Sequence, residues 1–408
     1  MIQSLLLATF AATTTPCDIT LTNANVWTGT AYEKQTLTIQ SGKFTSGPAL
    51  ANALDASFLY FTPPFADAHN HRIDLPDDGS HAKALAQGIF YALNPNNVRA
   101  VGPTRTGLPG LVDLQASGGG LTRPGGHPQP LYEGLAKDGI LGPLKVEDLP
   151  GKAFHPVTSP AEARAAVAKV KANGASVVKL YLLDNDKPGG GDGLSAENFH
   201  AAVAEARKLG LHPLVHIESA ADFRLAVAAK VHAIVHLPYI IDKGRNIEDI
   251  KLTAADAQAA AAANVYVVPT ATVAHMIYDG ERLAAMQAVQ RHNLGLLRTA
   301  GVKLGLGADR WTLNIHDEIG VIRGLALFDG TEVINMATTH GAHIAFPGRK
   351  IGIIAPDYEA SFVAWFRPLN RAWSEAREPV VAMREGQVMT DTINFLGKTC
   401  PKTESSAR

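Results

Sequence analysis

The chain has 408 residues, 37 Lys+Arg against 38 Asp+Glu for a formal net charge of −1, and 46% hydrophobic against 18% charged residues. That balance belongs to a chain with a large buried core and excludes an intrinsically disordered one. With no concentrated basic block, nucleic acid and anionic membranes are poor partners, and no run reaches the roughly 20 apolar residues of a membrane span.

Residues 1–12, MIQSLLLATFAA, read as a short secretory signal: an apolar stretch from Leu5 to Phe10 runs into small residues, with Thr9 and Ala11 placed for cleavage. The expected location is therefore periplasmic or secreted. From about 17 to 62 come short strands, ITLTNANVWTG and QTLTIQSGKFTSG, with β-branched alternation broken at Gly and Asn. The same texture returns near the end in ASFVAWF and PVVAMREGQVM. Residues 17–62 and 346–396 are expected to pair as one small β-sandwich domain, split in sequence. The two cysteines, Cys17 and Cys400, flank these segments and are too few for a structural zinc knuckle. In an exported chain they are expected to form a disulfide, since oxidising compartments favour such staples.

Between 63 and 345 the rhythm changes to short apolar strands alternating with Ala-rich helices, as in parallel βα units. One helix opens at Ser159-Pro160 with Glu162 placed for a capping box, runs through ARAAVAKVKAN, stops at Gly174 and leads into SVVKLYL. Ser195 opens the next, before HPLVHI, and Thr253 another, before VYVVPT. A stretch of about 280 residues built this way is close to the ~250 of a (β/α)8 TIM-type barrel, so the expected fold class is α/β.

The most informative segment is TPPFADAHNH. If it is a strand, His69 and His71 face one side ~6.6 Å apart, so two imidazoles can meet one ion. Each later unit offers one further candidate ligand where its strand should end: Lys179, His216, His236 and Asp309. Strand C-termini are where such barrels build active sites. His232 and His212 fall at the opposite strand ends and read as structural. Singly, each histidine is more often a satisfied core or surface residue than a ligand, and Lys179 reads as a snorkelling lysine; the assignment rests on their joint placement. Asp67 reads as an orienting group. Arg310 and His275 are weaker candidates. KPGGGDGLS (187–195) lacks Gly-Lys-Ser/Thr, so it is no phosphate cradle, and reads as a loop over the barrel mouth that could act as a lid.

DAHNH, the lysine of KLYL, two histidines 20 residues apart and GAD together resemble the amidohydrolase superfamily. The likeness is to its branch of imidazolonepropionase-like enzymes and metal-dependent Xaa-Pro dipeptidases. SGGGLTRPGGHP (117–128) and KIGIIAPDYEASFVAW are softer matches to the same branch. The resemblance implies two divalent ions, of zinc. His69 and His71 would hold the more buried one and His216 and His236 the more exposed one. A carboxylated Lys179 would bridge both, and Asp309 would touch the buried ion and shuttle the proton. It also suggests that His127 contacts substrate; Tyr239, three residues after a ligand, could do so too. Burial among Val177, Val178 and Leu180 should depress the Lys179 pKa and expose an amine that carbon dioxide converts to a carbamate. The expected function is hydrolysis of an amide- or peptide-type carbon–nitrogen bond in a small molecule such as a dipeptide, N-acyl amino acid or cyclic amide. The alternative is a deaminase releasing ammonia from an aminated ring, against which Lys179 argues. A non-catalytic binder is disfavoured by the complete ligand set. A homo-oligomer is compatible with the sequence.

Overall fold

The computed structural model describes residues 16–71, 73, 79–98, 106–108, 110–184, 191–241, 245–310, 312–373, 378–397 and 399–400. The expected secretory segment, 1–12, and residues 187–190 of the expected lid lie outside them. Five strands open the chain: β1 (Ile19–Trp27), β2 (Tyr32–Gln40), β3 (Lys43–Thr45), β4 (Ala53–Asp55) and β5 (Tyr60–Thr62). Nine follow in the middle: β6 (Phe65–Asp67), β7 (Ile89–Asn94), β8 (Asp113–Ala116), β9 (Gly120–Thr122), β10 (Phe154–Pro156), β11 (Val177–Tyr181), β12 (His212–His216), β13 (Ala233–Val235) and β14 (Tyr266–Val268). Three close it: β15 (Phe362–Trp365), β16 (Val381–Arg384) and β17 (Gln387–Asp391).

Strands from both chain ends share one eight-stranded sheet in the order β17-β16-β15-β5-β1-β2-β3, with β4 also on β1. The two hydrogen-bonded layers of the expected sandwich are therefore a single sheet folded on itself. Its edge strand β3 returns to the segment before β15: Phe44 donates to the Tyr358 carbonyl (3.0 Å) and Ala360 to that of Gly42 (2.8 Å). The fold-over encloses Ile19, Leu21, Phe44, Phe61, Phe362 and Met383. Cys17 and Cys400 are joined by a disulfide beside this core.

The middle strands are all parallel and form two sheets, β6-β7-β8 and β10-β9-β11-β12-β13-β14. They have two connections. The chain passes directly from β8 to β9 through Ser117, Gly118 and Gly119. On the other side, residues 303–309 lie between β14 and β6: Gly305 donates to the Val267 carbonyl (2.9 Å) and Ala68 to that of Leu306 (2.8 Å). This is where an eighth strand is expected, yet only one isolated bridge, Val267–Leu304, is made there. The segment changes partner midway and packs too closely for side chains. A Cβ on Gly305 would sit 2.4 Å from Ile344, and one on Gly307 2.4 Å from the His69 backbone nitrogen.

Helices between the strands start where the caps were read. Ser159 accepts from the Glu162 N–H, Ser195 from that of Asn198, and Thr253 from that of Asp256, each near 3.2 Å. Glu162 reaches back to Thr158 rather than to Ser159. Such caps contribute about 1 kcal/mol each. Between helices and strands lies a large apolar core that includes Phe199, Phe223, Leu214, Ile234 and Val267. Arg349 ties the terminal sheet to β8, donating to Glu359 (2.5 and 2.7 Å) and to Asp113 (2.6 Å).

Candidate metal centre

The strand β6 ends at Asp67, so His69 and His71 lie in the bend beyond it rather than on a strand. Their Nε2 atoms are 3.2 Å apart. Asp67 makes the bend. Its carboxylate accepts from the His69 N–H (3.4 Å), the Asn70 side chain (2.8 Å) and the Ile315 N–H (3.0 Å). It therefore orients the pair without joining it, as expected. Asn94, at the end of β7, lies 3.2 Å from His71 Nδ1 and fixes that ring.

Lys179 sits in the middle of β11, 2% exposed, with Nζ 5.3 Å from the Tyr181 ring centre. Gly120 leaves room for it: a Cβ there would lie 2.5 Å from Tyr181 and 3.0 Å from Lys179. Burial pushes the Lys179 ammonium down to about 7. His216 is the last residue of β12, and His236 follows β13 directly. Their rings are 4.3 Å apart. His236 Nδ1 is 2.7 Å from Thr270 Oγ1, which sets the ring's orientation.

Asp309 is the focus of the group. Its Oδ1 lies 2.8 Å from His69 Nε2 and 2.9 Å from His71 Nε2, and its Oδ2 3.6 Å from His236 Nδ1. One donor atom from each of His69, His236 and Asp309 falls within 4.8 Å of the others. Both His236 (φ 77°) and Asp309 (φ 53°) hold left-handed backbone, a cost of order 1–3 kcal/mol per non-glycine residue that clusters at functional sites.

The His127 ring lies 4.9 Å from that of His216, tilted against it, and meets the Tyr181 ring edge-on at 5.3 Å. Tyr239 is buried and gives its single proton to the Thr270 carbonyl (3.0 Å), so toward the cavity its oxygen offers lone pairs and no donor. Sequence reading missed Thr270 and Asn94, although both end strands or follow them, the same signal that found the histidines. It also missed Glu218 and Arg245. Glu218 Oε1 is 3.5 Å from His216 Nε2, too long for a good hydrogen bond. Its other oxygen is held by Arg245, which also grips Asp184 through two bonds of 2.6 and 2.7 Å.

The electrostatics suit a cation. Burial depresses the His69 imidazole to about 4 and holds His216 and His236 well below the usual range, so all three keep a ring lone pair at neutral pH. His69 Nδ1 and His216 Nε2 are buried with no hydrogen-bond partner, a cost of about 1–3 kcal/mol each that a ligand would offset. Burial alone would raise the Asp309 carboxyl, but His69 and His236 outweigh it and hold it well below the usual range. Neutral imidazoles around an ionised carboxylate are the donor set of a divalent metal, and the residues present fit one. The group opens into a cavity of about 600 Å³ whose far wall is apolar, with Leu131, Leu135, Ile240, Val273, Met276 and Ile277.

Residues 62–389 match the Amidohydrolase family, and the chain belongs to it. Among solved structures, the fold is similar to that of a Xaa-Pro dipeptidase with methionine bound in its active site (TM-score 0.68, 16% identity, 91% of this chain and 99% of that one). It is similar also to A. niger ochratoxinase (0.68, 16%, 92% and 97%) and to molinate hydrolase (0.70, 14%, 96% and 99%). At these identities the likeness is one of fold. No curated protein matches the chain.

Proposed function

We propose that this protein is a metal-dependent amidohydrolase that cleaves an amide- or peptide-type carbon–nitrogen bond in a small molecule. The observation that carries the reading is the convergence of neutral, buried imidazoles on the Asp309 carboxylate, at the C-terminal ends of parallel strands and at the floor of a ligand-sized cavity. The two parallel sheets are read as the wall of a (β/α)8 barrel over 63–345, with 17–62 and 346–396 as its satellite domain.

His69, His71 and Asp309 would hold one divalent ion, zinc, and His216 and His236 a second, with Lys179 as its carbamate between them. Bound there, the ions supply an electrophile for the scissile carbonyl and acidify water. Asp309, held ionised, accepts a proton from the attacking water and delivers it to the departing nitrogen. Thr270 keeps the His236 ring in place, and His127 and Tyr239 flank the substrate. To form the carbamate, the neutral Lys179 amine attacks carbon dioxide: an N–C bond forms, one C=O electron pair moves to oxygen, and one proton leaves. The Cys17–Cys400 disulfide supports an exported, periplasmic or secreted location.

The test is metal analysis of the purified protein together with turnover on dipeptides, N-acyl amino acids and lactams. Two zinc ions per chain and release of a free amine are expected. Ammonia from an aminated ring, with one metal per chain, would replace this reading with that of a deaminase.

A further inference from the structure

Most charges facing the cavity are already spoken for. Asp309 is held by His69 and His71, and Glu218 is tied to the buried Arg245. Two cations facing it have no such partner among the described residues: Lys179, read above as the carbamate, and Arg310, the next residue after Asp309. Arg310 is half-buried and lines the cavity, and no hydrogen bond or ion pair joins it to another described residue. It also borders an adjoining cavity of about 490 Å³ that contains Arg291, His275 and Asp317. Asp317 there accepts from the Asn314 N–H (2.9 Å) and Arg291 donates to the Leu325 carbonyl (3.4 Å), and neither is paired with Arg310. A guanidinium partly withdrawn from water without a counter-charge is poised for a planar anion, which it binds through two parallel N–H donors. The same cavity is lined by Leu131, Met276 and Ile277, 50, 57 and 39% exposed, large apolar groups that a ligand would cover.

We infer that Arg310 anchors a carboxylate of the substrate, so that the enzyme selects amides bearing a free carboxylate together with an apolar substituent. The inference rests on the amidohydrolase reading and deepens it. Arg310 is a specificity residue: it discriminates by charge, while His69, His71, His236 and Asp309 serve every substrate alike.

The experiment compares wild type, Arg310→Met and Arg310→Lys in two assays, after melting curves and metal analysis show equal folding and loading. Calorimetry with 4-phenylbutanoate and 4-phenylbutanamide reads binding without turnover. The carboxylate is expected to bind roughly 10- to 100-fold more weakly to Arg310→Met, with Arg310→Lys between, and the amide equally to all three. Kinetics with N-benzoyl-L-leucine and its decarboxylated analogue N-(3-methylbutyl)benzamide should show the same pattern in kcat/KM. Unchanged carboxylate affinity in Arg310→Met, or equal losses for both members of either pair, overturns the anchor even if hydrolysis is robust. Arginine-dependent carboxylate binding with no hydrolysis of any amide supports the anchor and counts against the hydrolase reading instead.

Discussion

The two ends of the same parallel strands each carry a group of histidines, and the groups differ in kind. At the N-terminal end His212 opens β12 and His232 precedes β13, their rings 4.9 Å apart. His232 Nε2 meets the Ile344 carbonyl (3.2 Å), and the nearby His340 Nδ1 meets that of Leu304 (2.9 Å). At the C-terminal end His216 and His236 lie on the same strands, beside His69 and His71. Burial depresses basicity at both ends, His232 and His69 alike to about 4. A buried neutral histidine is therefore no mark of a site. What separates the ends is the partner. Backbone carbonyls meet His232 and His340 in the first group, and among the described residues no carboxylate pairs with it. The second group surrounds Asp309, leaves two ring nitrogens unmatched and opens on a cavity.

The comparison breaks most readily at Asp309. Asp309→Asn keeps the volume and removes the proton acceptor, and kcat/KM is expected to fall about 10³-fold, while His232→Gln stays within about threefold. Comparable losses in steady-state kinetics would make the two ends functionally alike. Lys179→Ala should cost roughly 10²-fold and lower the zinc content, with added propionate restoring part of both. Near-normal turnover with two metals bound would rule out the bridging role.

Acid should expose what the ends share. Burial lowers His155 and His232 to about 4 in the folded protein, so the unfolded chain takes up their protons first as pH falls below about 6.5. Stability present at pH 7 is thus lost on acidification, by about 2 kcal/mol per group by pH 5. Urea midpoints of metal-free protein at the two pH values measure this, and His232→Gln should flatten the dependence. The smallest effect is expected at Thr270→Ala, which frees the His236 ring and should cost about tenfold in kcat with little change in KM.

How far the sequence could be read depended on the distance over which each feature is decided. His216 and His236 were legible because each closes its own apolar run, PLV and AIV. The caps at Ser159, Ser195 and Thr253 were legible for the same local reason. The bend at His69 was not: DAHNH contains no glycine or proline, and part of what turns it is an N–H of Ile315, 248 positions away. The irregular segment at 303–309 follows from close approaches to Ile344 and His69 that no periodicity encodes. Arg245 reaches Asp184 across 61 positions from a stretch with no pattern of its own. The terminal strands were recognisable as β, but their union in one sheet depends on β15 pairing with β5, and its fold-over on the Phe44 N–H donating to the Tyr358 carbonyl.

The bond between Cys17 and Cys400 spans 383 positions and makes the intervening chain a covalent ring. A protease that cuts one loop over the cavity opens that ring but releases no fragment. The nicked molecule migrates as a single species until a thiol is added, and only then separates into two. Two cuts within the ring are needed to lose any piece of it, so the chain can survive damage to a loop with His69, His71, His216, His236 and Asp309 still attached.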